Sequence, residues 1–345
     1  MKRALILVSL MAFMIGFLSN LHAQGNSDKS GTTAAQFLKI GVGARAMGLG
    51  GAFVAHADDI FSLYWNPAGI NKVKSLTLGG SYTQWFADIH HQFFGLVLPV
   101  NRSSCIGFQA AALTMDPVEI TTIDRPHGTD EFYDAGDLSI GVSYATSVTN
   151  FFALGITAKY IQQQIYNESA STFAFDIGSI LDIPYYGLKL GMAFSNFGGK
   201  LKLDGRDLTK EYDLNPNNTL NDGVETRLKT EPWDLPVNFS VGLAIDIFGI
   251  NGKSLSPSHI HRLTLDITGN HPADAAEYVN VGLEYTFNRL LILRGGYKSN
   301  RDVEKMFYGA GLLIPLGNTS FTFDYALASF EELDYVHIFS ASISF

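Results

Sequence analysis

The sequence predicts an all-β fold, a fourteen-stranded antiparallel transmembrane β-barrel with a short N-terminal plug. Three observations predict it. Over most of the chain, segments of about ten residues alternate apolar with polar or small side chains, and that is the length a tilted strand needs to cross a bilayer. An apolar leader opens the chain. The last alternating segment ends on an aromatic residue.

The alternation is plainest in "PVNFSVGLAIDIF", where Val237, Phe239, Val241, Leu243, Ile245 and Ile247 oppose Asn238, Ser240, Gly242, Ala244 and Asp246. "YVNVGLEYTF" and "SFTFDYAL" repeat it. Strands are expected near 75–85, 90–99, 103–114, 137–147, 151–165, 171–182, 186–197, 235–247, 259–268, 277–288, 290–299, 306–315, 318–327 and 336–345. An even number suits a closed sheet, which satisfies its own backbone polar groups inside lipid. The gaps 115–136 and 198–234, after the third and seventh strands, are long, while those after even-numbered strands are mostly a few residues. Long outward loops and short periplasmic turns at opposite ends would give this parity, and would leave both chain ends in the periplasm. The gap 248–258 is longer than its end calls for.

A soluble sandwich would also alternate. Here, however, the polar face is rich in Gly, Ser, Ala and Thr, with isolated charges at Asp176, Asp246, Asp266, Glu284 and Asp324. Aromatics such as Phe152, Tyr160, Tyr285 and Phe287 stand at the ends of the other face, where lipid interfaces favour them. "VHIFSASISF" ends on Phe345, which resembles the signal read by outer-membrane barrel assembly machinery.

Lys2 and Arg3 precede the apolar run Ala4 to Leu18, with Ala23 at a small-residue cleavage point. Residues 1–23 are therefore expected to be a cleaved signal peptide, residues 24–74 the plug and residues 75–345 the barrel, in a bacterial outer membrane with its lipid as surroundings. The net charge of −9 and the lack of any Lys/Arg block exclude nucleic acid as a partner. Cys105, the single cysteine, lies in an alternating segment and reads as an inert packed thiol.

Gly41 to Ala46 fits the loose dinucleotide fingerprint, but hairpin-spaced strands leave no room for the crossover helices which that reading needs. Asp58 and Asp59 lack a third ligand at metal spacing and read as caps of a short helix in "DDIFSLYW", which stops before Pro67. His90 with His91, and His259 with His261, likewise lack a third ligand and read as interfacial. No Ser, His and Asp grouping stands out, so the chain reads as non-enzymatic, with no cofactor and no metal.

The stretch "FLKIGVGARAMGLGGAFVAHADDIFSLYWNPAGI", Phe37 to Ile70, resembles the start of the PorV/PorQ family of outer-membrane proteins, associated with type IX secretion and part of the FadL-like group of fourteen-stranded barrels. The resemblance implies that the segment before the first strand folds into the lumen as a hatch, anchored by Asn66, Pro67, Ala68 and Gly69. It also implies a non-enzymatic partner or scaffold role, toward a large secretion translocon or exported cargo. In that role the loop 198–234 would be the contact element, with Tyr212 and Trp233 as aromatic anchors. The alternative is a FadL-like channel taking up hydrophobic small molecules, with such a ligand or a detergent in its lumen.

Overall fold

A computed structural model describes residues 29, 31–183, 187–213, 223–249, 254–258, 260–301 and 303–345. The leader 1–23, residues 24–28 of the plug segment and His259 lie outside the described residues.

Fourteen antiparallel strands close into a barrel. They are β1 (Thr77–Gln84), β2 (Ile89–Pro99), β3 (Ser104–Met115), β4 (Ala135–Ser147), β5 (Phe152–Ile165), β6 (Glu168–Asp182), β7 (Lys189–Gly198), β8 (Asn238–Gly249), β9 (His261–Pro272), β10 (Tyr278–Phe287), β11 (Leu291–Lys298), β12 (Met306–Leu316), β13 (Thr319–Ser329) and β14 (Tyr335–Ser344). Closure is direct, since Thr77 of β1 faces both Val97 of β2 and Ser344 of β14. Each strand expected from the alternation is present, with ends shifted by a few residues.

The sense of the alternation is that of a membrane barrel. Phe94, Phe108, Val142, Ile156, Phe175 and Leu283 are exposed on the outside, while Ser143, Thr157, Asp176, Asp266, Asn280 and Glu284 are buried within. A soluble sandwich would bury the apolar face instead.

At the short-turn end, Asn288 and Arg289 join β10 to β11 with φ of 49° and 57°, the left-handed pair that tight hairpins favour. The loop after β8 is long for this end because it folds back on its own strand: Ser256–Pro257 runs parallel to Phe248–Gly249. At the opposite end the loop after β7 carries a small ribbon, Thr209–Tyr212 against Val224–Arg227.

Residues 31–74 run through the lumen. They begin at the long-loop end, where the Ala34 amide donates to the Asp234 carbonyl at 2.9 Å. They leave at the short-turn end, where the Phe345 amide donates to the Leu76 carbonyl at 3.0 Å. The first and last strands begin and end on one side, and the first described residues lie at the other end, because the segment traverses the barrel before β1 begins. Val42, Ile60, Phe61, Leu63 and Ile70 pack on Phe93, Val97, Cys105 and Ala145 of the wall, which gives the barrel an apolar core inside a polar-faced sheet. Cys105 is buried there as a free thiol.

Candidate functional site

The glycine-rich run forms a short helix, α1 (Ala44–Gly48), that lies against β11 to β14. Its first amides have no intrahelical partner, and the wall supplies acceptors: Gly43 N–H donates to Ser81 Oγ at 3.2 Å and Ala44 N–H to Ser340 Oγ at 3.1 Å. Small residues here permit close approach. A Cβ on Gly48 would stand 3.1 Å from Gly309 Cα, and one on Gly296 would stand 2.2 Å from Gly50 N.

Arg45 is the centre of a charge network. Its guanidinium grips Glu284 of β10 with two bonds, Nε to Oε2 at 2.9 Å and Nη2 to Oε1 at 3.1 Å. Nη1 reaches Asp58 at 2.7 Å and Asp59 at 3.1 Å. Glu284 also accepts from Arg294 Nε at 2.8 Å, and Arg294 Nη1 donates to Asp324 at 2.6 Å. Fully buried His56 sits beside Arg45 and shares a 3.0 Å hydrogen bond with Asp266. The isolated charges on the polar strand face are thus partners for the lumenal segment and for one another.

The second attachment is built around Asn66, which follows α2 (Ser62–Trp65) and is fully buried. Its side-chain amide donates to Val54 O at 2.8 Å and to Ser179 O of the wall at 3.1 Å, and its Oδ1 accepts from Ala68 N at 3.2 Å, capping the 3-10 turn Pro67–Lys72. The wall is hollowed to admit this corner: a Cβ on Gly178 would lie 2.1 Å from Asn66 Oδ1, and one on Gly155 would lie 2.4 Å from Ala68 N. Gly69 is just as tight, a Cβ there falling 2.5 Å from Ala57 O. The four residues singled out in the sequence, Asn66, Pro67, Ala68 and Gly69, therefore sit together against β4, β5 and β6.

Asp58 and Asp59 do not cap α2, whose N-cap is Phe61 with no side-chain cap bond. Asp59 Oδ1 accepts from the amide of the N-cap residue Phe61 at 2.8 Å, ahead of the helix, and Asp58 Oδ1 and Asp59 Oδ2 turn to Arg45. The helix-cap expectation is corrected on that ground: a guanidinium inside the barrel outcompetes the weak field of a one-turn helix. Arg45 itself went unnoticed in the sequence, because its wall partner is 239 residues away. The usable signal was the unpaired Glu284 and Asp324 on an inward face, since buried charges call for counter-charges.

A third attachment lies at the long-loop end. Asp274 Oδ2 accepts from Thr33 Oγ1 at 2.6 Å, Lys39 Nζ at 2.9 Å and Gln36 Nε2 at 3.2 Å. Burial opposes ionisation, but these hydrogen bonds outweigh it and hold the Asp274 carboxyl below its ordinary value.

Tyr212 and Trp233 are both exposed on the loop after β7, Tyr212 in the ribbon and Trp233 paired through its backbone with Leu201. Phe345 is exposed beyond β14. His90 and His91 part company: His90 meets Tyr82 Oη on the outside at 2.9 Å, while His91 is buried within. His261 similarly meets Tyr285 Oη at 2.7 Å. Among the described residues no three His, Cys, Asp or Glu side chains group as metal ligands.

The lumenal segment lies between two cavities. One of about 950 Å³ at the short-turn end is lined by Arg45, Asp58, Asp59, Arg262, Glu284 and Arg294. The other, about 300 Å³, lies on the long-loop side and is lined by Phe37, Tyr64, Trp65 and Trp85 with polar residues of the wall.

The fold is that of known channels. The CymD monoaromatic hydrocarbon channel superposes with a TM-score of 0.58 at 12% identity, over 89% of this chain and 98% of that one. The Ralstonia pickettii toluene transporter TbuX gives 0.51 at 14% identity, over 88% and 97%. A Pseudomonas aeruginosa FadL homologue gives 0.50 at 13% identity, over 88% and 98%. No curated protein sequence matches the chain. The family description "Type IX secretion system protein PorV" matches residues 23–231, more than half of the chain, including the lumenal segment and most of the loop after β7. On that match, and in agreement with its FadL-like barrel, the chain belongs to the PorV family of type IX secretion system proteins.

Proposed function

We propose that the protein is a plugged outer-membrane barrel that serves type IX secretion as a non-enzymatic partner, meeting a large translocon or exported cargo through its long loops. The observation that carries this reading is the filled lumen. Residues 31–74 occupy it, tied at Arg45, Asn66 and Asp274, so that what the molecule offers a large partner is its outer rim. On that rim the loop after β7 presents Tyr212 and Trp233, aromatic side chains of the kind that dominate interface energetics. In this account Asn66, Pro67, Ala68 and Gly69 anchor the plug, residues 1–23 are the removed leader, and Phe345 is the assembly signal.

The likeness to hydrocarbon channels supports a second reading, uptake of hydrophobic small molecules, through the fold they share. Purification from native membranes in mild detergent separates the two. A co-purifying giant barrel or secreted cargo supports the partner role, whereas a solitary barrel carrying a hydrophobic ligand supports uptake.

A further inference from the structure

We infer that the cavity on the long-loop side is a binding site for a neutral, hydroxyl-rich ligand such as a short oligosaccharide. It has two unlike walls. One is aromatic, with the rings of Trp65, Trp85 and Tyr64. The other is a band of amides on the inner faces of the strands, and its polar atoms are incompletely used. Asn270 Nδ2, Asn280 Oδ1, Asn238 Oδ1 and, across the cavity on β3, Gln109 Oε1 are buried without a hydrogen-bond partner. Asn280 is only 2% exposed, and Asn270 and Gln109 8% each, so these are not surface side chains.

Buried amides without partners are costly, and several converging on one cavity mark a place where something polar fits. Most of the charge around the cavity is already engaged: Lys159 with Asp176 at 2.8 Å, Lys298 with Glu304 at 2.6 Å, Lys39 with Asp274 at 2.9 Å, and Arg301 over the Tyr278 ring at 4.1 Å, with its Nε a further buried donor that a hydroxyl can satisfy. A hydrocarbon would cover the rings and leave the amides unpaired. A peptide adding as an extended strand would need a free strand edge, and a closed barrel has none in its lumen. A sugar ring answers both walls, its hydroxyls donating to and accepting from amides while its C–H face lies on an indole or phenol ring. This inference stands apart from the proposed role in secretion, since a plugged partner barrel needs no ligand.

The test is titration of the full-length protein in a zwitterionic detergent with maltose, cellobiose and chitobiose, followed by tryptophan fluorescence and calorimetry. Toluene and a neutral tripeptide amide serve as comparisons. Saturable binding of at least one disaccharide is expected, weakened tenfold or more in Asn280→Leu and in Gln109→Leu. Heat-modifiable gel migration shows that each variant barrel is folded, and the two positions lie on opposite walls, so loss of one fold leaves the other to report. No saturable disaccharide binding, equal binding in both folded variants, or preference for toluene or the peptide amide would overturn the inference.

Discussion

Arg45 joins the lumenal segment to the wall directly, through its guanidinium. A guanidinium suits this position because its fork can hold Glu284 with two bonds while a third nitrogen serves Asp58 and Asp59. Removing one member of a buried ion group strands the others, at a cost of about 3–5 kcal/mol. Arg45→Ala should therefore leave the barrel assembled but loosen the segment, raising conductance in planar bilayers and exposing residues 31–74 to protease. Arg45→Lys keeps the charge without the fork and should fall between. Unchanged conductance and protection in Arg45→Ala would mean that the network does not hold the segment.

The Asp274 contact titrates. Its carboxyl is depressed in the folded protein, so its stabilisation is complete above the unfolded carboxylate value of about 3.9 and is lost as pH falls through the lower folded value. Protease sensitivity near residues 33–39 should accordingly rise below about pH 4. Asp274→Asn should show the raised sensitivity at neutral pH and lose the pH dependence.

At the scale of elements, the strands and the segment differ in how much of them could be read in advance. β10 and β13 alternate along their lengths and β8 does so up to its bulge at Asp246/Phe248, and a polar face beside a lipid face leaves that alternation nowhere else to go. The inward charges were legible as a face, but their pairing was not. That Glu284 meets both Arg45 and Arg294 depends on contacts made only when a closed sheet brings distant strands around one segment. Asp58 and Asp59 were misread for the same reason: local helix chemistry was visible and the guanidinium was not. The glycines of the run suggested tight packing, yet the glycines that receive it, Gly155 and Gly178, lie on β5 and β6. Deleting residues 24–74 tests the element as a whole. The barrel should still assemble, since the strand ladder closes without the segment, and its conductance should rise as polar inward faces meet water. Equal conductance would place the segment's blocking role elsewhere. Loss of Phe345 should lower the amount of folded barrel far more than loss of an equal length of loop, as measured by heat-modifiable migration.

The whole molecule combines a lipid-facing wall, a filled lumen and an enlarged rim. Those three features suit a barrel that is held closed while something large docks at its mouth. The loop after β7 is the part of the rim that the account depends on most. It is far longer than a hairpin needs, and loops of that length in compact folds are commonly functional. The most direct measurement is therefore purification from native membranes, with secretion assayed in parallel, after residues 204–230 are shortened to a tight turn. The account predicts normal barrel abundance with loss of the co-purifying translocon or cargo and of secretion. Intact complexes and secretion, accompanied by lost uptake of a hydrophobic compound such as toluene, would contradict it.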